Sequence, residues 1–269
     1  MERTILRRLR SPPGASKEGA AMSVITLQHA ECVAAMRKLP ARSVDHTITD
    51  PPYSEKTHAK GKRYKRGDIV DHVIAYKPMT PAIMRAVSKQ IVRITRRWII
   101  VTCDSDSPQL WAAALERAGA EFVRHGIFYK DDAQPQMSGD RPGAGFECVV
   151  ICHAPRESGR MRWNGGGKCA RWHATSDSRQ PGGLIVDGQK PLAFFRQLVA
   201  DFTDPGELIC DPYAGGGTMA VACQELGRDC ITFECDEETY NKAQHRIKEA
   251  GKQQPLPLAR AKATQLQLT

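Results

Sequence analysis

Apolar residues in this chain fall into short runs whose period keeps changing. Stretches such as "RWIIVTCD" and "ELICDP" are brief, apolar and bounded by turn residues, the pattern of strands buried in a sheet. Runs of this kind predict strands at residues 24–28, 44–49, 97–103, 121–129, 146–152, 207–211 and 229–234. Between them, apolar spacings of three and four predict helices near 31–38, 80–95, 107–118, 190–203, 217–226 and 236–250. The second helix opens "TPAIMRAV", with Thr80 placed to cap it and Pro81 at its first position. Strand and helix alternate, so the expected fold is α/β with a mostly parallel, seven-stranded sheet and helices on both faces.

Two long interruptions, 54–78 and 153–188, break the alternation. Loops of that length inside a compact domain usually carry function. The rest of the chain, from 22 to 269, reads as one domain. Residues 1–21 read as a disordered basic arm, or as sequence upstream of a start at Met22, since Pro, Gly, Ser and charge dominate them. The N-terminus lacks an uninterrupted apolar signal core, and no apolar run approaches the roughly 20 residues that span a bilayer. The expected location is the cytoplasm. Nine cysteines, without a CxxC pair, suit small buried hydrophobes better than a disulfide framework or a zinc site; no metal is expected.

Charge sharpens the picture. The chain carries +9 at neutral pH, and residues 54–68 and 154–180 each hold six Lys/Arg against two acids. Those two segments account for nearly all of the excess, which points to a polyanionic partner. The second interleaves Trp163 and Trp172 with its cations, and exposed tryptophans are costly unless something stacks on them.

Two motifs sit at strand ends. "ELICDPYAGGGTMAVACQELG" reads as strand, glycine turn and helix. Asp211 closes the strand, Gly215 to Gly217 let the backbone approach a ligand, and Thr218 begins the helix. Glu234 ends the next strand, where an acid can accept the hydroxyls of a ribose. No GK[ST] follows the glycines, which argues against a phosphate loop. The other motif is "DPPY", residues 50–53, directly after a predicted strand.

Together these motifs resemble the amino-group DNA methyltransferases that use S-adenosylmethionine. Because "DPPY" comes first and the glycine turn last, with a basic segment between, the order is similar to that of their β class, a circular permutation of a Rossmann-like methyltransferase fold. The resemblance runs from Met22 to Ile247 and includes "GQKPLAFFRQLVADFTDPGELICDPYAGGGT". It implies that Asp50, Pro51, Pro52 and Tyr53 are catalytic. It also implies that Glu31, Asp50, Lys190, Asp211, Tyr213, Gly215, Gly217, Thr218 and Glu234 bind the cofactor, with Lys190 at its methionine end, Glu31 at its adenine and Glu234 at its ribose. Two departures stand out: Ala30-Glu31 replaces the family's usual Gly-Asp, and "VDGQKP" lacks the His and Thr of the frequent H-P-T-Q-K-P form. The resemblance further implies duplex DNA as substrate and a homodimer. In the family the first Asp of "DPPY" goes mostly with adenine N6, and Ser there with cytosine N4.

The residue types suit that chemistry. An exocyclic base amine is a poor nucleophile, and its two N–H groups need acceptors as the nitrogen pyramidalises. A carboxylate at Asp50 and the carbonyl of Pro51 would supply them, the prolines stiffening the backbone. Tyr53 would offer a face to a base flipped from the duplex. Lys62, Arg63, Arg160, Arg162, Trp163, Lys168, Arg171 and Trp172 are the expected DNA contacts, the tryptophans as stacking or wedging groups. Cytosine-N4 methylation and a catalytically silent DNA-binding module are the alternative readings; RNA or protein methylases would place the cofactor turn before the catalytic motif.

Overall fold

The computed structural model describes residues 23–55, 57, 62–65, 68–71, 77–133, 142–155, 161–177, 184–186 and 188–252. The expected basic arm and Arg160 lie outside them. In chain order the elements are β1 (Ile25–His29), α1 (Cys32–Arg37), β2 (His46–Thr49), β3 (Lys62–Lys65), β4 (Asp68–Asp71), α2 (Pro81–Ile94), β5 (Trp98–Cys103) and α3 (Pro108–Arg117). There follow β6 (Glu121–Lys130), β7 (Phe146–His153), β8 (Arg171–Ala174), α4 (Leu192–Phe202), β9 (Leu208–Asp211), α5 (Thr218–Glu225), β10 (Asp229–Glu234) and α6 (Glu237–Ala250).

One sheet organises them, in the order β1-β10-β9-β2-β5-β7-β6-β8. The first five strands are parallel; β7 runs antiparallel to β5 and β6, and β8 is parallel to β6. The sheet therefore has eight strands rather than the expected seven, and the extra one comes from the segment expected to be a recognition loop. The reason is visible in its alternation: in Arg171–Ala174 the tryptophan and alanine face inward while Arg171 and His173 face solvent. A second short sheet, the β3–β4 hairpin, occupies part of the other interruption.

Each face of the main sheet carries helices. Met36 of α1, Ile91 of α2 and Trp111 and Leu115 of α3 pack on one side against Ile99, Val101 and Val150. On the other, Phe194 and Leu198 of α4 and Met219 of α5 cover Ile48, Ile100, Phe128 and Trp172. Local chemistry sets the helix starts as expected: Thr80 Oγ1 accepts from the Ile83 N–H at 3.3 Å, with Pro81 at the first helical position. Among the described residues, no helix is long and apolar enough to cross a membrane, and no His/Cys/Asp/Glu group could hold a metal. All nine cysteines are free thiols, seven of them buried.

What matters for function is where the strand order reverses. From β2 the chain moves to β5 on one side, whereas from β9 it moves to β10 on the other. In open α/β sheets the crevice beyond the carboxyl ends at such a reversal is where ligands bind. Here it lies between β9, which ends in Asp211, and β2, which ends one residue before Asp50.

Candidate active site

The glycine turn forms one wall of that crevice. Gly215 and Gly217 hold φ values of +48° and +76°, a region that strains any other residue. A Cβ at Gly216 would stand 2.9 Å from Gln189 Oε1, and one at Gly217 3.2 Å from the Ile247 side chain. The turn is thus closely roofed, while at Gly215 only Val186 Cγ2 comes near, at 3.9 Å. Glu234 meets the turn from β10, accepting from the Gly215 N–H at 3.0 Å and, with its other oxygen, from the Asp236 N–H at 3.0 Å. Thr218 begins α5 and accepts from Arg246 Nη1 at 2.8 Å. Tyr213 packs half-buried against the core beneath α1. Glu31 caps α1, accepting from the Val33 and Ala34 N–H groups at 2.8 and 2.7 Å. A carboxylate is favoured at that helix terminus.

Asp211 couples the two halves. Its carboxyl accepts from Thr49 Oγ1 at 2.7 Å and from the Tyr213 N–H at 3.1 Å. Burial pushes its pKa up to about 8, despite those hydrogen bonds.

Across the crevice, "DPPY" folds as a rigid exit from β2. The Tyr53 carbonyl accepts from the Met79 N–H at 2.9 Å. Asp104, at the end of β5, holds the next residues by accepting from Ser54 N–H, Ser54 Oγ and Thr57 Oγ1 at 3.0, 2.8 and 2.8 Å. The Pro51 carbonyl accepts no hydrogen bond from any described residue. Asp50 itself accepts from Thr102 Oγ1 of β5 and from Lys190 Nζ at 2.7 Å.

Lys190 is the hub of a buried ionic cluster. Its side chain is 3% exposed, and its ammonium also donates to Tyr53 Oη at 2.9 Å. It stands 3.1 Å from Glu147 Oε2 and 4.9 Å from the centre of the Tyr53 ring. Glu147 Oε1 in turn accepts from Tyr53 Oη at 2.7 Å and pairs with Lys130 Nζ at 2.7 Å. Burial opposes ionisation of Glu147, but Lys190 and Lys130 outweigh it and hold its pKa at about 2. Desolvation likewise works against the Lys190 charge, and Asp50 and Glu147 overcome it. Burial raises the pKa of Asp50 above the usual carboxylate range even with Lys190 beside it. Two carboxylates and two ammonium groups therefore balance.

Asp50, Tyr53 and Lys190 are brought together from positions far apart in sequence, and Asp211, Gly215, Gly217 and Glu234 gather beside them. Lys190, expected against a cofactor, spends its ammonium on Asp50 and Tyr53. Tyr53, expected to present an open ring, has that ammonium near its ring and its hydroxyl bonded on both sides. Sequence reasoning missed Glu147, Lys130, Thr102 and Asp104. One cue existed for Glu147, an acid embedded in the apolar strand "FECVVICH", where an unpaired charge would be costly.

The expected DNA contacts divide. Trp172 is a correction: it is 1% exposed, its Nε1 donates to Asp201 Oδ2 at 2.8 Å, and its ring lies where a Cβ on Gly126 would be 2.7 Å away. Its cost of exposure is met by burial in the sheet core, so it cannot stack on a base. Trp163 is half-buried, its ring lying over Gly165 and near Phe202. Lys168 pairs with Asp201 at 2.6 Å while remaining 45% exposed. Arg162 and Arg171 are exposed, and Lys62 and Arg63 fall in β3 of the hairpin.

Known proteins share the sequence pattern and the fold. The profile of the N6_N4_Mtase family, described as DNA methylase, matches residues 44–245. The protein YubD of Escherichia coli (strain K12) is 26% identical over 225 residues, covering 81% of this chain and 87% of YubD. The crystal structure of an M1.HpyAVI–SAM complex superposes with a TM-score of 0.65 at 19% identity, over 83% of this chain and 99% of that one. PvuII DNA methyltransferase, described as cytosine-N4-specific, superposes with a TM-score of 0.62 at 10% identity, over 88% and 94%.

Proposed function

The chain belongs to the N6/N4 DNA methylase family, and from that premise we propose that it transfers a methyl group from S-adenosylmethionine to the N6 amine of adenine in duplex DNA. One observation carries the reading: the carboxylate of Asp50 and the glycine turn flank the same crevice at the reversal of strand order, tied by the Thr49–Asp211 bond.

The residues suit the cofactor. Backbone at Gly215 is open to close approach, and the Glu234 carboxylate beside it keeps acceptor capacity for a ribose diol. When bound, S-adenosylmethionine supplies an electrophilic methyl on a sulfonium. The protein's work is positioning and charge. Asp50 and the Pro51 carbonyl, which accepts from no described residue, accept the two N–H groups of the extruded base, drawing its nitrogen out of conjugation. Tyr53 contributes a ring edge to hold the base plane. As the nitrogen gains positive charge, the Asp50 carboxylate stabilises it, and burial equips that carboxyl to take up the proton the amine sheds. Arg162, Lys168, Arg171 and partly buried Trp163 are the DNA contacts of this reading, through phosphate and groove edges.

Tritium transfer from labelled cofactor to duplex DNA, with mass spectrometry of the released nucleosides, tests it. The expected product is N6-methyladenine. Label in RNA or protein, or none in DNA, overturns the reading. N4-methylcytosine is the second reading, supported by the likeness to the PvuII enzyme, because both bases present the same amine to the same acceptors.

A further inference from the structure

Lys190 occupies a place that the reaction needs. Its ammonium sits 2.7 Å from Asp50 Oδ2, the acceptor assigned to the target amine, and donates at 2.9 Å to the hydroxyl of Tyr53, the residue assigned to hold the target base. An incoming adenine amine would meet Asp50 oxygens that already accept from Lys190 and from Thr102 Oγ1, so it competes with the cation for the carboxylate. The conflict grows along the reaction, since positive charge developing on the nitrogen would face a fixed ammonium in a dry site. The ammonium therefore has to leave Asp50 without leaving the cluster, where an uncompensated charge would be costly.

A receiving group is already present. Glu147 Oε2 lies 3.1 Å from Lys190 Nζ and accepts no aligned hydrogen bond. Its partner oxygen is already committed to Tyr53 Oη and Lys130. A lysine suits such a move, because its charge is compact and its four-carbon stem can swing, whereas an arginine fork would be held by several bonds at once. We propose that Lys190 is a stand-in for the target amine, seated on Asp50 until the extruded base arrives, and that Glu147 is the positioning residue that receives the displaced ammonium. The inference rests on the base-amine reading above.

The competing assignment puts the ammonium of Lys190 on the cofactor, and binding measurements separate the two. Calorimetric titration of S-adenosylmethionine without DNA should give Lys190→Met and Glu147→Gln affinities within about twofold of the unmodified protein. A loss of tenfold or more in Lys190→Met places Lys190 on the cofactor and overturns the proposal. In steady-state methylation of duplex DNA, Glu147→Gln should raise KM for DNA about tenfold with a smaller change in kcat, the size expected for weakening one charge-assisted acceptor. Glu147→Asp should recover part of that loss. An unchanged KM for DNA in Glu147→Gln, or a loss confined to kcat, overturns the proposal. Should Lys190→Met fail to fold, the Glu147 pair decides alone. Absence of methyl transfer by the unmodified protein would sink the functional reading instead, while cofactor affinities would still report on Lys190.

Discussion

The two ends of the central strands carry ionic clusters built on different principles. At the amino ends of β2, β5 and β9, Glu207 accepts from the Asp204 N–H at 2.6 Å, meets His46 Nε2 at 2.8 Å and pairs with Arg97. Beside it, Asp45 pairs with Arg96 at 3.1 Å and accepts from the Leu208 N–H at 2.9 Å. Backbone amides, His46 and one N–H from each arginine hold these carboxylates, each from more than one side. At the carboxyl ends, one flexible lysine serves Asp50, Tyr53 and Glu147 at once. The amino-end cluster ties strands together. Its counterpart at the carboxyl ends holds charge in readiness, which is what a site for a neutral, polarisable substrate requires.

That contrast can be broken at its strongest point first. Asp50→Ala should cut methyl transfer by about a thousandfold while leaving the fold intact, the scale expected for removing a preorganised acceptor. A variant retaining more than a tenth of the activity would show that the carboxyl-end cluster is structural like its opposite. Trp172→Ala tests the correction at β8. Removal of this buried ring should cost about 3–5 kcal/mol of stability in denaturant unfolding, and a near-neutral result would return the side chain to the surface.

The two ends should also titrate in opposite senses. Burial opposes the charge on Glu207, but His46, the Asp204 N–H and Arg97 hold its pKa at about 2. Its contribution is present above its unfolded value near 4.5 and is lost as pH falls toward 2. Glu207→Gln should therefore flatten the acid limb of melting temperature against pH, with a change on the order of 1–2 kcal/mol for a partly exposed group. Asp211, pushed up to about 8, contributes stability that is full below 3.8 and is lost as pH rises through about 8. Asp211→Asn should reduce that loss, so its melting temperature should fall less than the parent's between pH 6 and 9. Parallel pH profiles for both variants and parent would erase the distinction. The smallest effect belongs to the rim: Arg171→Ala should weaken DNA binding a few-fold and lower the salt slope by about one, as for a single phosphate contact.

Much of the fold was legible because its signals are local. Strand and helix periods, the Thr80-Pro81 start and the glycine turn depend on residues within a few positions of one another, and each of the thirteen expected elements lies within two residues of its expected bounds, while β3, β4 and β8 were not expected. β8 escaped because its four residues sit inside a basic segment, where composition masked the inward alternation of Trp172 and Ala174.

The site separates along the same line. Sequence alone determined that an acid, two prolines and a tyrosine follow a strand, and that glycines and Glu234 belong to another strand pair, since turn chemistry is written in contiguous residues. Only the tertiary structure decided that β2 and β9 are neighbours, that Lys190 reaches Asp50 and Tyr53, and that Glu147 and Lys130 complete the charge balance. Strand pairing and burial join residues far apart in the chain, 162 positions in the Thr49–Asp211 bond and 205 in the bond from the Val24 N–H to Asp229. Their outcome follows from the packing of the whole chain, because a buried charge is tolerable only where a distant partner is delivered to it.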